Sequence, residues 1–153
     1  MEVTAFQKLI KGVVSEAQQL KDSHTTEKNA NVNYSAIFSH GMNEYEELLE
    51  IANKIGRIID NTPTGPLFII EPLNTVAGQL KLVKVRKPDE ARKERGDADF
   101  TVSNYSSFKE TYLSKPGFRL IQRPKFEMIE LADNSYNVLA YFSNPPLDKQ
   151  LGV

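Results

Sequence analysis

Lys84-Val85-Arg86-Lys87-Pro88-Asp89-Glu90-Ala91-Arg92-Lys93-Glu94-Arg95-Gly96-Asp97-Ala98-Asp99-Phe100-Thr101-Val102 divides the chain into two halves. An alternating segment ends at Arg86 and Lys87. A second begins at Asp97, where Ala98, Phe100 and Val102 alternate with Asp97, Asp99 and Thr101, the period of a strand. The run between them is too charged to bury without partners. It lacks the interleaved aromatics that stack nucleic-acid bases, so it reads as a solvated loop.

Upstream, residues 4 to 22 carry Phe6, Leu9, Ile10, Val13, Val14, Ala17 and Leu20 at three- and four-residue steps. That spacing predicts an amphipathic helix, with Thr4 as its cap. Residues 22 to 31 are polar and form a linker. Val32 to Ser39 alternates as a strand, with Val32, Tyr34, Ala36 and Phe38 on one face and Asn33, Ser35 and Ile37 on the other. Asn43 and Glu46 have the spacing of a capping box. The helix that follows buries Tyr45, Leu48, Leu49, Ala52 and Ile55 and stops at Gly56. Arg57 to Asp60, Leu67 to Glu71 and Leu80 to Arg86 complete the half as strands, with Pro72 closing the second.

Downstream the same order returns. A strand from Asp97 to Val102 leads to a helix capped by Asn104 or Ser106, carrying Phe108, Tyr112 and Leu113 and ended by Gly117. Strands follow at Phe118 to Gln122, Phe126 to Leu131 and Asn137 to Phe142. The tail from Pro145 reads as a loop or short cap. Glycine follows the helix in both halves, and proline follows the second strand in both, at Pro63 and Pro124. Internal repetition of this kind argues for two copies of one unit, each burying a sheet face.

The expected fold is α+β: two βαβββ modules forming a curved mixed sheet, plus an N-terminal amphipathic helix. The expected divisions are 1–31 for the helix and linker, 32–86 for the first module, 87–96 for the charged loop, and 97–153 for the second module and tail. A net charge of -1 argues against non-specific adhesion to nucleic acid or anionic membrane. The absence of cysteine removes thiolate chemistry and Cys-based metal sites. With neither a signal-peptide pattern nor a long apolar run, a cytoplasmic location is expected.

Paired modules of this order resemble the vicinal oxygen chelate fold of glyoxalases, bleomycin-resistance proteins and extradiol dioxygenases. Within it, the YecM-like branch is the most similar. The pieces that carry the resemblance are Glu71-Pro72-Leu73, then Val83-Lys84-Val85-Arg86-Lys87-Pro88, then Gly96-Asp97-Ala98-Asp99-Phe100-Thr101-Val102. The resemblance implies a divalent metal held by His, Glu or Gln on the first and fourth strand of each module. This chain departs from that pattern. It offers Asn33 or Ser35 on the first strand, Lys84 on the fourth, Asp99 at the start of the second module, and Ala140 or Tyr141 on the last strand. No metal and no other cofactor is expected.

What the residues offer instead is charge. Alternation puts Lys84 and Arg86 on the cleft side, and Asp97 and Asp99 with them, so an ion pair between Lys84 and Asp99 is expected. Lys84, Arg86 and Arg119, with Asn33 and Ser35 nearby, would then bind a small polar or anionic molecule. The alternative is an isomerase or lyase, with Asp99 or Glu127 as base and Lys84 or Arg86 stabilising an oxyanion. A further alternative is a homodimerisation module acting through the N-terminal helix or an edge strand. Glu127 and Glu130 are an odd number of residues apart and therefore point to opposite faces of a strand. Ser35, Ser39 and His40 lack the motif of a hydrolase.

Overall fold

The computed structural model describes residues 1–153. Helix α1 (Val3–His24) precedes β1 (Asn31–Phe38), α2 (Met42–Ile55), β2 (Gly56–Thr62), β3 (Gly65–Thr75) and β4 (Gly78–Arg86). The second set is β5 (Gly96–Thr101), α3 (Tyr105–Tyr112), β6 (Phe118–Gln122), β7 (Glu127–Leu131) and β8 (Val138–Asn144), and a short α4 (Leu147–Leu151) ends the chain. The eight strands form one curved sheet in the order β2-β3-β4-β1-β5-β8-β7-β6. Within each set the first and last strands pair in parallel and the others antiparallel. The two sets meet through the antiparallel pair β1–β5. This is the expected α+β fold of two βαβββ modules.

The seam is tight. A Cβ on Gly96 would lie 2.3 Å from the Ala36 carbonyl oxygen, so only glycine lets β5 approach β1 here.

One face of the sheet is covered by helices. The apolar stripe of α1 packs across β1, β3, β5 and β8, and α2 packs on β2, β3 and β4. Their buried residues join Ile37, Val83, Val85, Ala98, Phe100, Ala140 and Phe142 in the main core. Lys21 ends the α1 stripe fully buried, its ammonium donating to Asp22 Oδ1 (2.8 Å) and to the Glu27 carbonyl (2.5 Å). Those bonds satisfy the charge and tie the linker to the helix. The opposite face holds a smaller cluster of Ala36, Phe38, Leu139 and Tyr141. No helix is long and apolar enough to cross a membrane.

Several local expectations change. Neither Thr4 nor Asn43 is a cap: α1 begins after Glu2 and α2 after Gly41, each without a side-chain cap. The reciprocal bond at α2 comes from Glu44, whose carboxylate accepts from the His40 N–H (2.7 Å). Asn104 does cap α3, accepting from the Ser107 N–H (3.0 Å). Strand β3 runs through Pro72, which sits where the pairing with β4 shifts register between Ile69 and Leu73. A proline without an N–H is tolerated at such an irregularity.

The most consequential change lies in β1. Its register with β5 shifts between Val32 and Tyr34. An extra residue in a strand reverses which face the residues before it use. Val32 therefore joins the helix-covered core instead of sharing a face with Tyr34, Ala36 and Phe38.

Candidate functional site

Residues paired directly across strands point to the same face. The register therefore builds two rows on the face away from the core helices. One runs Leu67–Lys84–Ala36–Asp97–Leu139 across β3, β4, β1, β5 and β8. The other runs Tyr34–Asp99–Tyr141–Glu130–Arg119 across β1, β5, β8, β7 and β6. Arg86, two residues beyond Lys84 on β4, pairs with Phe38 on the same face. Cations from β4 and carboxylates from β5 thus flank the seam, as alternation implied.

The expected ion pair does not form. The register places Asp97, not Asp99, in the row of Lys84, with Ala36 between them. Two strand spacings separate those backbones by about 10 Å. The Lys84 ammonium instead donates to Thr64 Oγ1 (3.1 Å) and sits 5.9 Å from the centre of the Tyr34 ring. Burial pushes its pKa down, and Arg86 adds to the effect, opposed by Asp97 and Asp60. The Arg86 guanidinium lies 4.9 Å from the centre of the Phe38 ring and makes one long contact to Asp89 Oδ2 (3.5 Å).

The two aspartates are both buried but are held differently. Asp99 accepts from the Ser143 N–H (3.1 Å), the Ser143 hydroxyl and the Asn33 amide (3.2 Å). Burial raises its carboxyl to about 6, against the pull of those donors. Asp97 accepts only the Ala36 N–H, at 3.2 Å. Burial, then Asp99, raises it to about 7, with Lys84 opposing. One aspartate is therefore anchored as an acceptor, while the other is poised to exchange a proton near neutrality.

The remaining expected residues divide. Asn33 is buried at the bulge and bridges Asp99 and Thr101, leaving its own Oδ1 without a donor. Ser35 does not reach this face. It faces the core helices and donates to the Asp97 carbonyl (2.7 Å). Arg119 is on the right face but is paired with Glu130 (3.2 Å), which also accepts from the Tyr141 hydroxyl (2.7 Å). Glu127 is on the wrong face for a base acting beside Asp99. Lys109 (2.8 Å) and Tyr105 (2.9 Å) of the α3 side hold its carboxylate, and Lys109 first among them keeps its pKa low. The alternation of β1 already places Tyr34 on this face, with Ala36 and Phe38, and of the two residues expected on the last strand, Ala140 or Tyr141, the register of β8 selects Tyr141.

The metal implied by the vicinal oxygen chelate resemblance does not fit these residues. No three His, Cys, Asp or Glu side chains cluster as a ligand set. The positions facing the seam hold an ammonium at Lys84 and phenols at Tyr34 and Tyr141 whose pKa values burial raises. Asp99 has three protein donors on its oxygens. A divalent ion needs free anionic or imidazole lone pairs, and a cation among the ligands opposes it.

No protein-family model and no curated protein matches the chain. Among solved structures it is similar to a structural-genomics protein, Protein EC4020, at 13% identity and a TM-score of 0.68, over 92% of this chain and 86% of that one. It is also similar to a glyoxalase/bleomycin resistance protein/dioxygenase superfamily member from Vibrio splendidus 12B01, at 9% identity and a TM-score of 0.48, over 74% and 97% of the two chains. Methylmalonyl-CoA epimerase from Mycobacterium tuberculosis gives 14% identity and a TM-score of 0.42, over 78% and 90%. At these identities the likeness concerns the fold alone.

Proposed function

We propose that the protein, a cytoplasmic member of the YecM-like branch without that fold's usual metal site, binds a small polar or anionic molecule at the Lys84–Arg86 side of the seam. One observation carries the reading. Lys84 is a half-buried ammonium whose only hydrogen-bond partner is a neutral threonine hydroxyl. A cation with its charge unanswered in a partly dehydrated place favours an anion. Arg86, one strand step away, adds a planar fork matched to carboxylate or phosphate. The ring of Tyr34 would pack against the ligand's apolar part.

The test is thermal unfolding against a panel of small carboxylates and phosphates. At a concentration of 100 times Kd, a ligand of the folded state adds about 2.7 kcal/mol of stability. That shift should disappear in Lys84→Ala, with the unliganded protein unfolding within a degree or two of the parent. Equal shifts in parent and variant would end the proposal.

A second reading is supported by Asp97. Its carboxyl has a single protein donor and sits near neutrality, which suits a general acid or base in an isomerase or lyase. Lys84 would then stabilise the oxyanion formed when a carbon acid loses its proton. The discriminating measurement is exchange of a bound ligand's carbon-bound hydrogen with D2O. Asp97→Asn should abolish exchange and retain binding. Binding without exchange in the parent favours the first reading.

A further inference from the structure

Asp97 and Tyr141 point to the face that no core helix covers, yet they are only 6% and 8% exposed. Part of their cover comes from the connection between β4 and β5, residues 87–95. It sends side chains onto that face at two points. Asp89 Oδ2 meets the Arg86 guanidinium on β4 (3.5 Å). Arg92 meets Glu130 on β7 (3.8 Å), the carboxylate that also takes the Tyr141 hydroxyl. In the order of the sheet, four strand spacings separate β4 from β7, roughly 19 Å along its surface. The connection therefore straddles the seam, tied to the first module on one side and to the second on the other.

Its attachments are of two kinds. The roots are well bonded. The Lys87 N–H donates to the Thr64 carbonyl (2.8 Å) and the Arg95 N–H to the Asn137 carbonyl (2.8 Å). Both guanidinium nitrogens of Arg95 hold Glu44 (2.6 and 3.0 Å). Between the roots, Asp89 closes a turn, accepting the Ala91 N–H on its Oδ1 (3.0 Å) and the Arg92 N–H on its carbonyl (2.9 Å). Asp89 and Arg92 are thus parts of one piece. The two ties that hold this piece down are long, partly exposed ion pairs, which bind weakly. A cavity of about 480 Å3 lies between its Pro88, Asp89 and Lys93 and the turn at Ser39, His40 and Gly41, so the piece is not packed on that side. Fixed roots, a self-bonded middle and weak ties suit a segment that opens locally as a unit.

The Asp89 carboxylate is also the one side-chain hydrogen-bond partner of the Arg86 guanidinium. We propose that residues 88–94 form an autoinhibitory strap over the anion site. Asp89 occupies Arg86 in place of the ligand's oxyanion, Arg92 latches the strap to Glu130, and an anion arriving at Lys84 and Arg86 displaces it. The inference rests on the reading given for Lys84 and adds the regulation of that site.

The experiment is an amide-resolved NMR titration of the full chain with inorganic phosphate and, separately, with acetate at constant ionic strength. Saturable shifts at residues 84–86 are expected, accompanied by shifts at 89–92 as the strap lifts. Arg92→Gln is the decisive variant. Removing a cation near an anion site weakens binding by Coulomb attraction alone, whereas removing a latch tightens it. The affinity of Arg92→Gln should rise about three- to fivefold, the effect of releasing one weak tie. Asp89→Asn keeps the Oδ1 that closes the turn and removes the charge, and should tighten binding to a similar degree. Binding seen only in these two variants would also support the strap. Weaker or unchanged affinity in Arg92→Gln, with the parent binding and Lys84→Ala not, overturns the strap and leaves the Lys84 reading standing. Binding that survives in Lys84→Ala, or that is absent from the parent and both strap variants alike, overturns both.

Discussion

The two modules share a backbone plan and almost none of its chemistry. In the first, α2 has 14 residues and packs aliphatic side chains such as Leu48 and Ile51 against strands whose own aliphatic residues include Val83 and Val85 of β4. In the second, α3 has only 8, and the same job falls to rings. Phe108 lies 4.4 Å from Phe142 and 4.8 Å from Tyr112, centre to centre, and Phe118 and Phe100 extend the set. On the other face the contrast is electrical. Strand β4 ends in Lys84 and Arg86, while its counterpart β8 carries Leu139, Tyr141 and Ser143. Strand β1 presents Tyr34 and Ala36, while its counterpart β5 presents Asp99 and Asp97. The two halves keep one strand order and differ in charge, one presenting cations and the other carboxylates.

The sharpest way to break this contrast is in the aromatic half. A short helix offers few positions, so each ring must bury more area. Phe142→Ala should destabilise by about 3–5 kcal/mol, while Val83→Ala in the aliphatic half should cost about 2 kcal/mol or less. Denaturant midpoints at constant slope measure both. Equal losses would show that the two halves share their stability regardless of ring content.

A somewhat smaller effect separates the two aspartates. Both carboxyls are raised in the folded protein, to about 7 for Asp97 and about 6 for Asp99. Between about pH 4 and 7 the folded state therefore binds more protons than the unfolded one. Stability is greatest below that window and falls as pH rises through it. Asp97→Asn should flatten the fall, gaining on the order of 3 kcal/mol at pH 8 and little at pH 4. Asp99→Asn should also remove the smaller part of the fall, between about pH 4 and 6, and should in addition lose about 1–3 kcal/mol, because an amide cannot accept all three donors now on the carboxylate. Identical pH profiles for the two variants would refute the difference in their anchoring.

Much of this arrangement is written in alternation and punctuation. The strand period placed Lys84 and Arg86 on one face, and Asp97 and Asp99 with them. Gly56, Gly117, Pro63 and Pro124 marked the repeat. Register is another matter, because it is set between strands and not along them. The pairing of Lys84 with Asp99 failed for that reason, since β1 places Ala36 against both Lys84 and Asp97. The bulge at Asn33 was equally hidden: the alternation of Val32 with Tyr34 is unbroken in the sequence, and only the pairing with β5 reveals the extra residue. Ser35 fell to the helix side of the sheet for the same reason that Ile37 did, and its hydroxyl found a backbone carbonyl there.

The finest discrimination concerns Glu127. Parity on β7 puts Glu130 with Tyr141 and Arg119, and Glu127 with α3. Its bonds to Lys109 and Tyr105 fasten the short helix to the edge of its own module. The charge that might have served chemistry on the far face is thereby spent on holding α3 in place. Glu127→Gln keeps the shape and removes the charge, so it should cost under about 1 kcal/mol, the range of a partly exposed pair. Raising the salt concentration should narrow the difference between parent and variant, as screening weakens such a pair. Ligand binding at Lys84, and any hydrogen exchange dependent on Asp97, should be unchanged. A large loss of either with stability preserved would mean that Glu127 acts across the sheet, and that the division of the two faces is wrong.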